Sequence, residues 1–149
     1  MYRLRIVHRQ SCLYNAVFKS LILLMIGPAG PNDAAMFDID DTLIFTDGTP
    51  NIPIIKILHQ MKVLGYKIVI ITARPGFELT VNFTIKQLAS FGIGYDYLGF
   101  TSADTKTDMK KKLGYNFVLS VGDMPTDWTD SKYYINTSNS YHSYDMRQM

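Results

Sequence analysis

Residues 36–44 read Met-Phe-Asp-Ile-Asp-Asp-Thr-Leu-Ile, an apolar lead-in followed by three acids within four positions. The apolar residues 34–37 predict a short buried strand. Carboxylates grouped at the end of a buried strand are costly unless a cation or a proton offsets them. We therefore expect Asp38 and Asp40 to build a site for a divalent metal and an electrophile. The alternative interpretation is a strand followed by an acidic turn, because Asp, Thr and Gly are ordinary turn residues.

Three further segments fit the same chemistry in chain order. A second apolar run ends on the hydroxyl of Thr72 and is soon followed by Arg74. A lysine, Lys106, lies in the first turn of a predicted helix, and a later apolar run leads to Asp123 and Asp127. Phosphoryl transfer needs a nucleophile, groups that neutralise charge and a proton for the leaving oxygen. These segments supply all three.

This order of motifs resembles the haloacid dehalogenase superfamily of phosphotransferases. The finer spacing is similar to its class B and class III (subfamily IIIB) acid phosphatase branch, and the resemblance covers residues 34–136. The branch resemblance is carried by Arg74, Thr84, Leu88, Gly92, Lys106, Thr107, Lys110, Leu113, Gly114, Tyr115, Gly122, Asp123 and Asp127. That branch often has arginine at the position of Lys110. We expect this departure to affect substrate contacts and not the core chemistry.

The predicted chemistry is Mg²⁺-dependent hydrolysis of a phosphomonoester through an aspartyl-phosphate. Asp38 is the predicted nucleophile, and Asp40 is the acid that protonates the leaving group and the base that later activates water. Asp123 is a predicted metal ligand, assisted by Asp127, because hard oxygen ligands suit Mg²⁺. The resemblance further implies that Asp38 and the backbone carbonyl of Asp40 contact the ion.

Three other residues complete the predicted site. Thr72 and Lys106 would hold the oxygens of the transferring phosphoryl group, and the lysine also compensates the excess of carboxylates. Arg74 either contacts the substrate phosphate or pairs with a nearby carboxylate, and the sequence favours neither alternative. The basic cluster 110–112 is interpreted as a solvated helix face.

Strands and helices alternate along the chain. Apolar residues at helical spacing predict one helix from about Pro53 to Leu64 and another from about Glu78 to Phe91, whose inner face would carry Val81, Ile85, Leu88 and Phe91. The fold class is therefore α/β, a doubly wound parallel sheet of order 3-2-1-4-5 in a Rossmann-like three-layer sandwich. In this order the strands that precede Asp38 and Asp123 are neighbours. The intervals between motifs are too short for a cap domain.

The chain divides into a phosphatase domain at 34–136, an N-terminal segment at 1–33 and a loose C-terminal tail at 137–149. The N-terminal segment is interpreted as a helix from about Arg9 to Met25 packed on the domain. A signal peptide is the alternative, because a basic start precedes an apolar run and a break of small residues. The run is shorter than the ~20 apolar residues of a membrane span. We expect a cytoplasmic protein, or a secreted one if the segment is a signal peptide.

Composition restricts the choice of function and partner. A net charge of +2 gives no basic surface for nucleic acid, and a single cysteine gives no internal disulfide. The expected substrate is a phosphorylated small molecule such as a nucleotide, and a homo-oligomer is left open. One alternative is a polynucleotide 3′-phosphatase. The other is a non-catalytic storage or binding protein, which is disfavoured because the chain keeps its predicted catalytic residues.

Overall fold

The computed structural model describes residues 3–7, 25–138 and 143–148. Within these ranges seven strands form one sheet: β1 Arg3–Val7, β2 Asp33–Phe37, β3 Lys67–Thr72, β4 Tyr97–Phe100, β5 Asn116–Gly122, β6 Tyr133–Asn136 and β7 Ser143–Gln148. The helices are α1 Ile52–Val63, α2 Glu78–Ser90, α3 Lys106–Leu113 and the short α4 Pro125–Trp128. A 3-10 turn, Ala103–Thr105, leads into α3.

Five of these strands are parallel and lie in the order β4-β3-β2-β5-β6, with β4 at the edge of the sheet. Counted from β2, this is the predicted order 3-2-1-4-5, so the fold class is confirmed. Strand β2 is central: Phe37 lies opposite Ile70 of β3 on one side and Val121 of β5 on the other. The carboxyl ends of β2 and β5 therefore meet at one edge of the sheet, which is where open α/β sheets bind ligands.

Side chains alternate between the two faces of the sheet and build two hydrophobic clusters. Ala35 and Phe37 join the larger cluster, together with α1, whose Ile54, Ile55, Ile57, Leu58 and Met61 are all buried. Ala34 and Met36 point to the opposite face and join a smaller cluster with Phe117, against which α3 packs through Met109 and Leu113. The sheet is thus covered on both faces, as its continuous apolar strands require.

Helix α2 buries most of its predicted inner face. Leu88 is buried and Val81 and Phe91 are half-buried, whereas Ile85, predicted on the same face, is 42% exposed. Thr84 is buried as well, and its hydroxyl accepts a hydrogen bond from Arg74 at 3.0 Å. The buried face of this helix thus includes a polar contact with the site.

Strand β7 lies in the predicted loose tail and pairs antiparallel with β6, which corrects the prediction for that segment. Strand β1 precedes the predicted helix from Arg9 to Met25 and pairs antiparallel with β7. Backbone hydrogen bonds hold such strands at the edge of the sheet. These bonds require no apolar sequence pattern, so a search for apolar runs does not predict the strands. The predicted helix from Arg9 to Met25 lies outside the described residues except for its last residue. No helix of the described residues has the length and apolar character needed to span a membrane.

Candidate active site

Asp38 is fixed at the sheet edge by the pairing of its own strand. Its backbone N–H donates to the carbonyl of Val121 at 2.9 Å, which continues the β2–β5 ladder by one residue. Its side chain is buried, and Asp123 follows the end of β5 directly. The two acidic strand ends therefore meet where the predicted topology places them.

Lys106, the first residue of α3, joins two carboxylates. Its Nζ donates to Asp38 Oδ1 at 2.8 Å and to Asp127 Oδ1 at 2.7 Å, and its side chain is only 2% exposed. Burial acts to lower the pKa of Lys106, but the charges of Asp38 and Asp127 outweigh it and hold the pKa above the ordinary 10.5. A permanent positive charge therefore lies at the base of the site.

Asp127 is fully buried, and both of its oxygens are engaged. Oδ1 accepts from Lys106, and Oδ2 accepts from the backbone N–H of Met124 at 3.1 Å. The carboxylate packs so closely on Gly122 that a Cβ at this glycine would overlap it. Glycine is therefore required before Asp123. Burial, more than any other factor, raises the pKa of Asp127 above 3.8.

Asp38, Asp123 and Asp127 form a group that fits a metal ion. Each offers a carboxylate oxygen, and these oxygens lie within 4.8 Å of one another. Burial, followed by the charge of Asp127, raises the pKa of Asp38 well above 3.8. One lysine does not offset three carboxylates, so a divalent cation with a preference for hard oxygen ligands, such as Mg²⁺, suits the group. Both oxygens of Asp127 already accept hydrogen bonds, one from Lys106 and one from Met124. Asp127 therefore contributes to the centre by holding Lys106 in place.

Asp40 and Arg74 form a second, more exposed pair. Arg74 donates from Nη2 to Asp40 Oδ1 at 2.9 Å and from Nε to Oδ2 at 3.1 Å. Its Nη1 donates to Thr84 and to Gln87 of α2, at 3.0 and 2.8 Å. Of the two alternatives for Arg74, the structure places it in a carboxylate pair. Gln87 was not predicted, although its position three residues after Thr84 puts both on one face of a helix.

The loop after Asp38 is braced from several sides. Thr42 Oγ1 contacts Asp38 Oδ2 at 3.4 Å and the hydroxyl of Thr137 at 2.9 Å, while its carbonyl accepts from Asn51 Nδ2 at 2.9 Å. Asp41 has a φ of +57°, a left-handed conformation that Asp tolerates better than most residues. Neither partner was predicted: Thr137 lies 95 residues from Thr42 along the chain, and Asn51, nine residues away, belongs to no motif that we recognised.

Thr72 ends β3 at the same edge of the sheet and is fully buried. Its hydroxyl accepts from the backbone N–H of Arg74 at 3.1 Å, and its carbonyl accepts from Thr101 at 2.9 Å. In the structure this hydroxyl holds the loop that carries Arg74.

Lys110 differs most from expectation. Predicted as part of a solvated basic face, it is fully buried, whereas Lys111 and Lys112 are exposed. Its Nζ donates to the hydroxyls of Ser120 and Ser131 and to the carbonyls of Asp127 and Thr129. Burial lowers the pKa of Lys110 from 10.5 to about 7.

Comparisons with known proteins agree with this class of fold. A family model described as haloacid dehalogenase-like hydrolase matches residues 35–95, a range that holds the first acidic motif, Thr72 and Arg74. The match supports a hydrolase of the haloacid dehalogenase superfamily. No curated protein matches the chain in a sequence search.

Solved structures show the same fold. One chain from the "Structure of Pnkp1/Rnl/Hen1 complex" superposes with a TM-score of 0.53 at 22% identity, over 68% of this chain and 43% of that one. A chain from the "Structure of the Pnkp1/Rnl/Hen1 RNA repair complex" gives 0.53 at 23% identity, over 68% and 40%. This chain thus spans less than half the length of either neighbour, and at this identity the likeness shows the fold alone.

Proposed function

We propose that this chain is a Mg²⁺-dependent phosphomonoester hydrolase of the acid phosphatase type, which acts through an aspartyl-phosphate on Asp38. One observation carries the proposal: Lys106 is buried between Asp38 and Asp127, beside Asp123, at the carboxyl edge of the sheet. A buried cation beside an excess of carboxylates provides fixed charges for an anionic substrate and a place for a divalent ion. A storage or binding role would require neither.

In the first step, an oxygen of Asp38 attacks the phosphorus of the ester. Lys106 engages Oδ1 at 2.8 Å, whereas Thr42 contacts Oδ2 at the longer distance of 3.4 Å, so Oδ2 is the oxygen we assign to the attack. The bond between phosphorus and the leaving oxygen breaks, and Asp40 supplies the proton that this oxygen needs. The products are the released alcohol and a phosphoryl group on Asp38.

In the second step, water attacks the phosphorus and Asp40 takes its proton. The acyl-phosphate bond breaks, inorganic phosphate leaves and the carboxylate of Asp38 is restored. Asp40 suits both steps because its side chain is 54% exposed and can reach the leaving group and water. For this it must separate from Arg74, which is then free to contact a phosphoryl oxygen.

The remaining groups hold the substrate. Lys106 and Thr72 bind the phosphoryl oxygens, and Asp127 keeps the lysine in place through its 2.7 Å bond. Asp38, Asp123 and the backbone carbonyl of Asp40 would hold Mg²⁺, which supplies positive charge that neutralises the phosphoryl oxygens.

The site is open at the carboxyl edge of the sheet. Helix α1 begins at Ile52, soon after the acidic motif, and a single helix and strand separate β3 from the turn before α3. Neither interval holds a cap domain, so we propose broad activity toward small phosphate esters such as nucleotides, since few groups contact the leaving group.

Metal removal and Asp38→Asn test the proposal together. Chelation should abolish hydrolysis of an aryl phosphate and Mg²⁺ should restore it. Ca²⁺ should restore it poorly, because its coordination is larger and looser. Asp38→Asn should lower turnover by about 10³-fold or more while the protein stays folded. Full activity in excess chelator, or near-parent activity of the variant, would contradict the mechanism.

A polynucleotide 3′-phosphatase is the second candidate, favoured by a specific surface feature. Phe77, Leu79 and Phe83 are 73%, 85% and 60% exposed, and they belong to the segment and helix that hold Arg74. Exposed aromatic rings stack on nucleic-acid bases. One of the structural neighbours comes from an RNA repair complex.

The two candidates differ in how rate depends on substrate length. A 3′-phosphorylated oligonucleotide cleaved much faster than the matching 3′-mononucleotide, with the advantage lost in Phe83→Ala, would establish the second candidate. Equal rates for both substrates, unaffected by the substitution, would favour the small-molecule phosphatase. Asn82→Ala changes an exposed, uncharged residue of the same helix and is the matched control.

A further inference from the structure

The main feature is a lysine that is fully buried and surrounded by acceptors. The Nζ of Lys110 lies 2.8 Å from Ser120 Oγ and 3.0 Å from Ser131 Oγ, and it donates to the carbonyls of Asp127 at 2.9 Å and Thr129 at 2.5 Å. An ammonium has three N–H donors, so these four acceptors exhaust it. Lysine is almost never fully buried without such partners. The group is therefore structural, and no part of it reaches substrate.

The two carbonyls that Lys110 binds lie at the carboxyl end of helix α4. Helix α4 has only four residues, and its carboxyl-terminal carbonyls lack the following turn that would satisfy them. Lys110 donates to two carbonyls there, those of Asp127 and Thr129. A cation at the carboxyl end of a helix also meets the negative end of its dipole.

Asp127 is thereby held by two lysines from the same helix. Lys106 and Lys110 are four residues apart on α3 and lie on one face. Lys106 binds the side-chain carboxylate of Asp127 at 2.7 Å, and Lys110 binds its main-chain carbonyl at 2.9 Å. Because the carboxylate in turn orients Lys106 toward Asp38, the position of the α4 turn sets the geometry of the centre.

From these contacts we propose that Lys110 is a positioning residue that fixes the α4 turn relative to Asp38, and with it the metal-binding Asp123 and the Asp127 carboxylate that holds Lys106. The inference rests on the proposed function. Lys110 contacts neither metal nor substrate and acts only through Asp127 and the turn that follows it. Partners that orient metal ligands in this way contribute about 10- to 100-fold to metal affinity or activity.

Lys110→Met tests the proposal because it keeps the length and apolar stem of the side chain and removes its donors. We expect Mg²⁺ affinity, measured by isothermal titration calorimetry, to fall by about tenfold or more. The kcat for an aryl phosphate should fall with it, at saturating Mg²⁺, while KM changes little. Lys110→Arg, which again offers donors to both carbonyls, should recover most of the lost affinity.

Two controls separate positioning from simple destabilisation. Lys111→Met changes an exposed lysine of the same helix and should leave both values unchanged. Met61→Ala removes buried volume from the opposite face of the sheet and lowers stability without touching the site. If Lys110→Met lowers thermal stability as Met61→Ala does and keeps parent Mg²⁺ affinity and kcat, the proposal is overturned.

Lys110→Gln covers the case in which Lys110→Met does not fold. It retains two N–H donors and should bind Mg²⁺ with intermediate affinity, so a parent-like value would again overturn the proposal. A parent protein that neither binds Mg²⁺ nor hydrolyses phosphate esters would instead refute the proposed function and this inference together. A parent that does both, beside a variant that does both equally well, would refute this inference alone.

Discussion

Two carboxylate–cation pairs lie at one edge of the sheet, and they differ chiefly in burial. Lys106 and Asp127 are 2% and 0% exposed, whereas the side chain of Asp40 in the pair with Arg74 is 54% exposed. Charges in the buried pair are costly to rearrange, so they act as a fixed field. In the second pair Asp40 is open to water, which screens its charge, so this carboxylate can leave Arg74 at a lower cost than separation of the buried pair would require. In the proposed mechanism, the buried pair holds charge in place and Asp40 of the second pair moves a proton.

Lys106→Met removes the cation of the buried pair and should cause the largest loss of stability among these variants. It leaves Asp38 and Asp127 buried without their shared cation, and breaking a buried pair in this way costs about 3–5 kcal/mol. We expect a loss of that order in the free energy of unfolding, measured with urea at neutral pH without metal, together with loss of activity. A stability close to that of the parent would show that the pair contributes no fixed charge.

Part of this centre could be predicted from the sequence and part could not. Asp38 and Asp123 follow apolar runs that predict buried strands, and parallel topology brings such strand ends together. The resemblance singled out the position of Lys110 and predicted a substrate contact there, but its burial could not be predicted, because that depends on four acceptors that lie 10 to 21 residues further along the chain. Strand β7 was not predicted for a similar reason. It is held by backbone hydrogen bonds to β6, and these bonds leave no pattern in the sequence of β7.

Asp40→Asn should lower turnover strongly and change stability little. Loss of a general acid and base typically lowers turnover by about 10²–10⁴-fold. Asp40 is more than half exposed, so the free energy of unfolding should change by only about 1 kcal/mol, less than in Lys106→Met. Activity assays and urea unfolding on the same variant test both expectations. A large loss of stability without loss of turnover would reverse the roles that we assign to the two pairs.

The pH dependence of stability should show the smallest effect, and it tests whether Asp38 binds a proton in the folded protein. Burial, and then the charge of Asp127, raises the pKa of Asp38 above that of the unfolded chain. Between the two pKa values the folded state holds a proton that the unfolded state has released, so stability falls as pH rises. Asp38→Asn lacks this penalty.

Without metal, the melting temperature of Asp38→Asn should therefore exceed that of the parent by an amount that grows as pH rises from about 4. The difference should level off above the raised pKa of Asp38. Added Mg²⁺ should then stabilise the parent more than the variant, because the variant has lost one carboxylate ligand. A difference between the two proteins that does not depend on pH would contradict the buried, proton-binding state of Asp38.

Trapping the phosphoryl group on Asp38 would test the aspartyl-phosphate mechanism directly. An aryl phosphate with a leaving group that needs no proton should phosphorylate Asp40→Asn, which then lacks the base for the second step. With Mg²⁺ present, we expect a burst of one equivalent of phenolate. Acid quenching and peptide mass spectrometry should then find one phosphoryl group on Asp38. Steady turnover without a burst, or a phosphoryl group on any other residue, would contradict the account.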